Sequence, residues 1–212
     1  MVLFNLCGGP GAGKTTLGYY LTYRLKKAGI RADLLYEPAR DLIYGGVPNT
    51  VPPQLLDNQI LMVGQTYERV LRLKRHGFEA VVSDSPIIQC LLYCKDHVYY
   101  ENLKKAIRDI EPHFDTYNVF IHPDAGKYDP ESRTQRTEAE ARALDKVVRE
   151  LMGNFWLEIN WDQEGLLGDQ AVQLVRSKRQ SLPSSEASST TAPSQGPHTS
   201  HPQEVPYSNE CN

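Results

Sequence analysis

Val2-Leu3-Phe4-Asn5-Leu6-Cys7-Gly8-Gly9-Pro10-Gly11-Ala12-Gly13-Lys14-Thr15-Thr16 opens the chain and decides its fold. Val2–Cys7 is a short, largely apolar run and reads as a first strand. Gly8 through Thr15 matches G-x-x-x-x-G-K-[ST], the spacing of a phosphate-binding loop. Each residue type has a chemical reason to be there. Glycines let the backbone fold into a nest whose N–H groups face phosphate oxygens. A helix starting at the end of the loop adds partial positive charge. Lys14 reaches the β- and γ-phosphates, and the Thr15 hydroxyl is suited to ligate Mg²⁺. Thr16 completes the set of candidate nucleotide contacts, Gly8 to Thr16. The alternative is a Gly-rich turn with a chance lysine. The flanks oppose it: a strand precedes, and Thr15–Ala28 follows as an amphipathic helix with Leu17, Leu21, Leu25 and Ala28 on one stripe.

Outward from the loop, short apolar runs alternate with helix-period runs. Strands are expected at Ala32–Tyr36, Ala80–Ser83, Tyr117–Ile121 and Phe155–Ile159. Helices are expected from about Pro53 to His76 (Leu56, Ile60, Val63, Tyr67 and Val70/Leu71 inward) and over Tyr99–Glu111. Another opens at Thr137-Glu138-Ala139-Glu140, a capping-box pattern, with Ala141, Leu144, Val148 and Leu151 inward. The last is capped by Asp162 and buries Leu167, Ala171, Leu174 and Val175. Ser85-Pro86 reads as an N-cap followed by proline at the first helical position. Alternating βαβα with buried strands predicts an α/β fold with a parallel sheet covered on both faces, and ligands at the carboxyl ends of its strands.

The 212 residues carry a net charge of -3 and are 40% hydrophobic. That supports one domain with a real core and argues against a broad basic surface for duplex nucleic acid. Cys7, Cys90, Cys94 and Cys211 have no metal-ligand spacing, and Cys90 and Cys94 read as buried thiols. No run of about 18 apolar residues suggests a membrane span, and the start lacks the basic region of a signal peptide. Reduced cysteines and ATP chemistry suit a cytoplasmic location. After about Lys178 the composition changes: Ser, Thr and Pro make up 16 of the 34 residues from Arg179 to Asn212. Residues 1–178 are thus expected to form the domain and 179–212 a disordered tail, either passive or a docking segment.

Three further sites suggest a kinase. Asp84, in Val81-Val82-Ser83-Asp84-Ser85-Pro86, stands where a strand-end carboxylate holds Mg²⁺ through its waters, or caps the next helix. Glu37, in Tyr36-Glu37-Pro38-Ala39-Arg40, ends the second strand and could accept a proton from an attacking hydroxyl; otherwise it is a solvated strand-end acid. Arg40 could bind the acceptor or a phosphate, or pair with Glu37. His122–Arg136 is a long polar segment between strand and helix, of the kind that often forms a lid. Its Arg133 and Arg136 could fold over ATP and neutralise charge on the transferring phosphoryl group, or be ordinary surface arginines. On the long helix, Gln59 and Gln65 could read a base edge, and Tyr67 or Tyr93 could stack. Trp161-Asp162 is a candidate for the adenine side, or Trp161 simply packs.

Taken together, the chain resembles the NadR-like, nicotinamide-riboside-kinase-type group of P-loop kinases, whose ATPase-like relatives are frequent in bacteriophages. The resemblance covers roughly residues 2–175. It rests on the Gly8–Thr16 loop, Tyr36-Glu37-Pro38-Ala39-Arg40-Asp41-Leu42, Val82-Ser83-Asp84-Ser85-Pro86, and Tyr128 through Arg136 running into Glu138-Ala139-Glu140-Ala141-Arg142-Ala143-Leu144-Asp145. Glu37-Pro38 and Asp84-Ser85-Pro86 are also similar to deoxynucleoside kinases, in which a glutamate at this strand end is the general base. The resemblance implies a three-layer P-loop NTPase fold, sheet order 2-3-1-4-5, and Arg133 and Arg136 in a lid. It implies an ATP-dependent kinase acting on a small acceptor such as a nucleoside or nucleotide. Two departures stand out: a nucleotidyltransferase domain is not expected within these 212 residues beside the kinase-like part, and Glu131-Ser132 precedes Arg133 where relatives often place glycine. Two other functions fit the same residues. One is a kinase for a modified base in DNA, with Lys74, Arg75, Lys104, Lys105 and Arg108 as a basic groove. The other is an ATP-dependent switch that uses the tail for docking.

Overall fold

The computed structural model describes residues 1–36, 56–123 and 137–181. Among these, five strands form one sheet: β1 (Val2–Cys7), β2 (Ala32–Leu35), β3 (Ala80–Ser83), β4 (Asp115–Ile121) and β5 (Leu157–Ile159). All are parallel, in the order β2-β3-β1-β4-β5, as the resemblance implies. Five α-helices cover the sheet: α1 (Lys14–Lys27), α2 (Leu56–Arg75), α3 (Tyr100–Ile110), α4 (Glu138–Met152) and α5 (Glu164–Ser181). A 3₁₀ segment, Ile87–Tyr93, follows β3.

β1 is buried along its whole length because both its faces are covered, which is why the run reads as apolar without clear alternation. Phe4 and Leu6, with Val82 and Ile121, pack on Leu17 and Leu21 of α1 and Leu167 and Ala171 of α5. On the opposite face Leu3 and Val81 meet Val70 of α2, and Cys7 and Phe120 meet Val148 of α4. Ile88 and Leu91 of the 3₁₀ segment join Ile107 of α3 there. One polar row crosses the middle of the sheet. Asn5 stands level with Ser83 on β3 and Asn118 on β4, and its side-chain amide donates to Asn118 Oδ1 at 3.0 Å.

Several expectations shift. β2 ends at Leu35 rather than Tyr36, β4 starts at Asp115 rather than Tyr117, and β5 starts at Leu157 rather than Phe155. On α2 the inward stripe is Gln59, Met62, Val63, Thr66 and Val70, while Ile60 is half exposed. The stripe is offset by one position, so two polar side chains turn inward where periodicity of apolar residues alone favours Ile60. Ser85 is not an N-cap: extended Pro86 precedes the 3₁₀ turn with no side-chain cap, and Ser85 Oγ bonds Gln89 Oε1 at 3.1 Å. Thr137 does cap α4, its hydroxyl accepting from the Glu140 N–H at 3.2 Å. Asp162 does not cap α5, because a 3₁₀ turn (Trp161–Gln163) comes first and moves the capping box to Asn160 and Gln163. α5 runs through Ser181, taking in three residues assigned to the tail, and Arg179 pairs with Glu79 at 2.6 Å. Residues 182–212 lie outside the described part. Among the described residues no helix is long and apolar enough to cross a membrane.

Candidate active site

The loop leaves β1 at the carboxyl edge of the sheet, between β3 and β4. Two of its glycines are dictated by conformation and space. Gly8 has φ +146°, and a Cβ there would stand 3.0 Å from the Ile121 carbonyl. Gly13 caps α1 in the left-handed region at φ 82°, and a Cβ there would lie 2.9 Å from Trp161 Cζ2. The indole of Trp161 therefore lies against the last glycine of the loop while packing on the main core. Trp161 thus packs, as one of its two sequence readings expects, and it also borders the loop.

Thr15, on the first turn of α1, donates its hydroxyl to Asp84 Oδ2 at 2.7 Å. Asp84 is 3% exposed, and its backbone N–H donates to Leu35 O at 3.0 Å. The end of β2 is thus tied to the acid, and the acid to the loop. This hydroxyl and carboxylate are hard oxygen donors at the end of a helix and a strand, a donor set that fits Mg²⁺. Lys14 folds over the loop, its ammonium donating to the carbonyls of Gly8 and Gly9 at 2.9 Å each. Directly beneath, burial pushes the Cys7 thiol up to about 12, although the Lys14 charge pulls it down. Cys7 is accordingly a packing residue and not a nucleophile.

Two side chains not assigned a role from sequence converge on the loop. Asp145 of α4 accepts from the Gly9 N–H at 2.5 Å. Gln89 of the 3₁₀ segment donates to the Gly8 carbonyl at 3.3 Å. Asp145 in turn is held by Arg142 at 3.2 Å, and Arg142 reaches Glu138 at 3.5 Å. Asp145 lies inside the motif that carries the family resemblance. Its spacing of three from Arg142 on one helix face was the available signal. Gln89 offered no such signal.

Glu37, Arg40, Tyr128, Arg133 and Arg136 lie outside the described residues. Gln59 is fully buried, whereas Gln65 is exposed. They occupy different faces of α2, so the structure does not bring them together as one base reader. Tyr67 packs edge-on against Phe114 with ring centroids 5.8 Å apart, a core role. Tyr93 is half-buried. His122, at the end of β4, faces Glu158 at 3.2 Å. Of the candidate groove cations, Arg75, Lys104 and Lys105 each pair with an acid on their own helix. Cys94 is buried and Cys90 half-buried.

Residues 3–161 match the AAA domain family. The chain belongs to that family. No curated protein matches this AAA-domain chain at a significant level. Among solved structures, the NadR protein in complex with NR aligns with a TM-score of 0.59 at 19% identity, covering 82% of this chain and 50% of that one. The Mycobacterium tuberculosis APS kinase CysC in complex with AMPPNP and APS aligns at 0.46 and 14% identity, covering 82% and 96%. Shikimate kinase from Acinetobacter baumannii in complex with shikimate aligns at 0.45 and 16%, covering 84% and 94%. At such identities the likeness is one of fold, the α/β P-loop fold with sheet order 2-3-1-4-5.

Proposed function

We propose that this AAA-domain chain is an ATP-dependent P-loop kinase that transfers the γ-phosphate to a small acceptor, a nucleoside or nucleotide. The observation that carries the reading is the Thr15–Asp84 contact of 2.7 Å beside Lys14, at the carboxyl edge of a sheet ordered 2-3-1-4-5. It supplies the two groups that a nucleotide-bound magnesium ion needs from the protein, next to the amine that a triphosphate needs. When bound, Mg²⁺ would supply positive charge that offsets the charge of the transferring phosphoryl group.

The chain's own residues then divide the work. The loop N–H groups and the start of α1 hold the phosphates, and Lys14 reaches from the Gly8 and Gly9 carbonyls to the β/γ oxygens. Thr15 and Asp84 hold the metal side. Glu37, one residue beyond Tyr36, takes the proton from the attacking hydroxyl, and Arg133 and Arg136 close over the transferring group. The NadR structure, aligned over half of that chain, was solved with NR. That is in keeping with a small-molecule acceptor and with a NadR-like grouping, both part of the reading proposed here.

The test is a panel of nucleosides and nucleotides incubated with γ-labelled ATP and magnesium, with duplex DNA as a further acceptor. One labelled small product is expected. Tight ATP binding with no labelled acceptor of any kind would end the kinase reading, and label in DNA alone would move the acceptor from a small molecule to a polymer.

A further inference from the structure

The Gly8–Gly9 peptide group is clamped at both ends. Its carbonyl accepts from Lys14 at 2.9 Å and from Gln89 at 3.3 Å. Its N–H donates to Asp145 at 2.5 Å. The three side chains come from α1, the 3₁₀ segment after β3, and α4. These are separate parts of the chain, Gly9 and Asp145 being 136 positions apart. The peptide dipole runs from a carboxylate at its N–H end to an ammonium at its C=O end, the favourable alignment of charges.

We infer that Asp145 is a positioning residue: it fixes the first peptide plane of the phosphate loop and so ties α4 to the loop. This rests on the nucleotide-binding reading above, because the peptide that Lys14 holds by its carbonyl is the one from which its ammonium, with three N–H donors, must also reach a triphosphate. A first peptide held by its carbonyl alone could still rotate about that end. The Asp145 bond holds the N–H end while Lys14 and Gln89 hold the carbonyl end, and together they keep the plane still. Placing a carboxylate beside an anion site opposes nucleotide binding electrostatically. Arg142, 3.2 Å from Asp145 and only about a quarter exposed, offsets that charge. A residue serving affinity alone would not be acidic here. One serving geometry can be, since transfer is sensitive to misplacement of the reacting groups.

The test uses the whole chain, amide exchange of residues 8–13, and binding of Mg·AMPPNP. In the wild type the Gly9 amide should be protected without nucleotide and stay protected with it. Asp145→Ala should speed its exchange tenfold or more, leave analogue affinity unchanged or tighter, and lower phosphoryl transfer at least tenfold in kcat. Asp145→Asn keeps an acceptor oxygen for Gly9 and should restore both protection and most of the turnover. If the analogue strips protection from Gly9 in the wild type, Asp145 competes with phosphate and the positioning role is wrong. Parallel loss of affinity, turnover and melting temperature in both variants would likewise reduce Asp145 to a fold-stabilising contact. If Asp145→Ala fails to fold, the wild-type exchange experiment still decides. Exchange is read whether or not any acceptor is phosphorylated, so failure of the kinase reading would be separately visible.

Discussion

Gly13→Ala tests the loop's packing against the far end of the sheet. Two costs follow from the geometry and one gain opposes them. An alanine held at φ 82° costs roughly 1–2 kcal/mol in the left-handed region. Its Cβ would start 2.9 Å from Trp161 Cζ2, and ordinary contact begins at 3.4 Å, so the indole must retreat. Forcing an extra carbon into packed surroundings costs about 1–3 kcal/mol. Replacing glycine also reduces the entropy of the unfolded chain, which returns about 0.4–1 kcal/mol. The net loss is about 2–4 kcal/mol. For a chain of this length each kcal/mol lowers Tm by about 2–4 °C, so a drop on the order of 10 °C is expected. Urea denaturation followed by far-UV circular dichroism, with unchanged slope, measures the loss. The same substitution in a Trp161→Ala background removes the clash and leaves the backbone cost. The two should therefore couple by about 1–3 kcal/mol. An equal cost in both backgrounds would refute the claim that Trp161 braces the loop.

Lys14→Ala should weaken transition-state stabilisation by about 3–5 kcal/mol, a hundredfold to several-thousandfold loss of kcat/KM in a single-turnover transfer assay. Glu37→Gln should leave ATP binding nearly intact, by calorimetry, while lowering kcat; normal turnover removes it as the base. Burial raises the Glu111 carboxyl above its ordinary value, with the Arg108 charge opposing. A raised carboxyl pKa stabilises the fold at pH below the unfolded value and loses that contribution as pH rises through the folded value. Glu111→Gln should therefore raise Tm at pH 7–8, with the gain fading as the pH falls into the acid range. Leu167 is fully buried in the main core, and Leu167→Ala should cost about 2–5 kcal/mol in urea denaturation.

What could be read without coordinates was what is local in the chain. The loop, its strand and its helix lie within 28 residues, and Asp84 sits at a strand end flanked by turn-forming Ser85-Pro86. What escaped depends on phase or on distant meetings. The inward stripe of α2 carries Gln59 and Thr66, so apolar periodicity alone turns the helix by one position toward Ile60. The cap before α5 moved to Asn160 because a 3₁₀ turn intervenes, and sequence does not separate that turn from the helix it leads into. Gln89 and Asp145 reach the loop from segments 81 and 136 positions away, and only the packing of three layers brings them there.

The Asn5–Asn118 amide pair has a consequence for how the sheet is assembled. Strands built only of Val, Leu and Ile can slide past one another by two residues and still offer carbon to carbon. Here a slip would part the two amides and set Asn5 level with Thr116 or Phe120 instead, and a buried amide that loses its partner costs about 1–3 kcal/mol. The pair works as an index mark between β1 and β4, much as a single polar residue fixes alignment in helical zippers. Because Gly8 follows three residues later, that mark also sets the height at which the chain leaves the sheet to begin its turn around a phosphate.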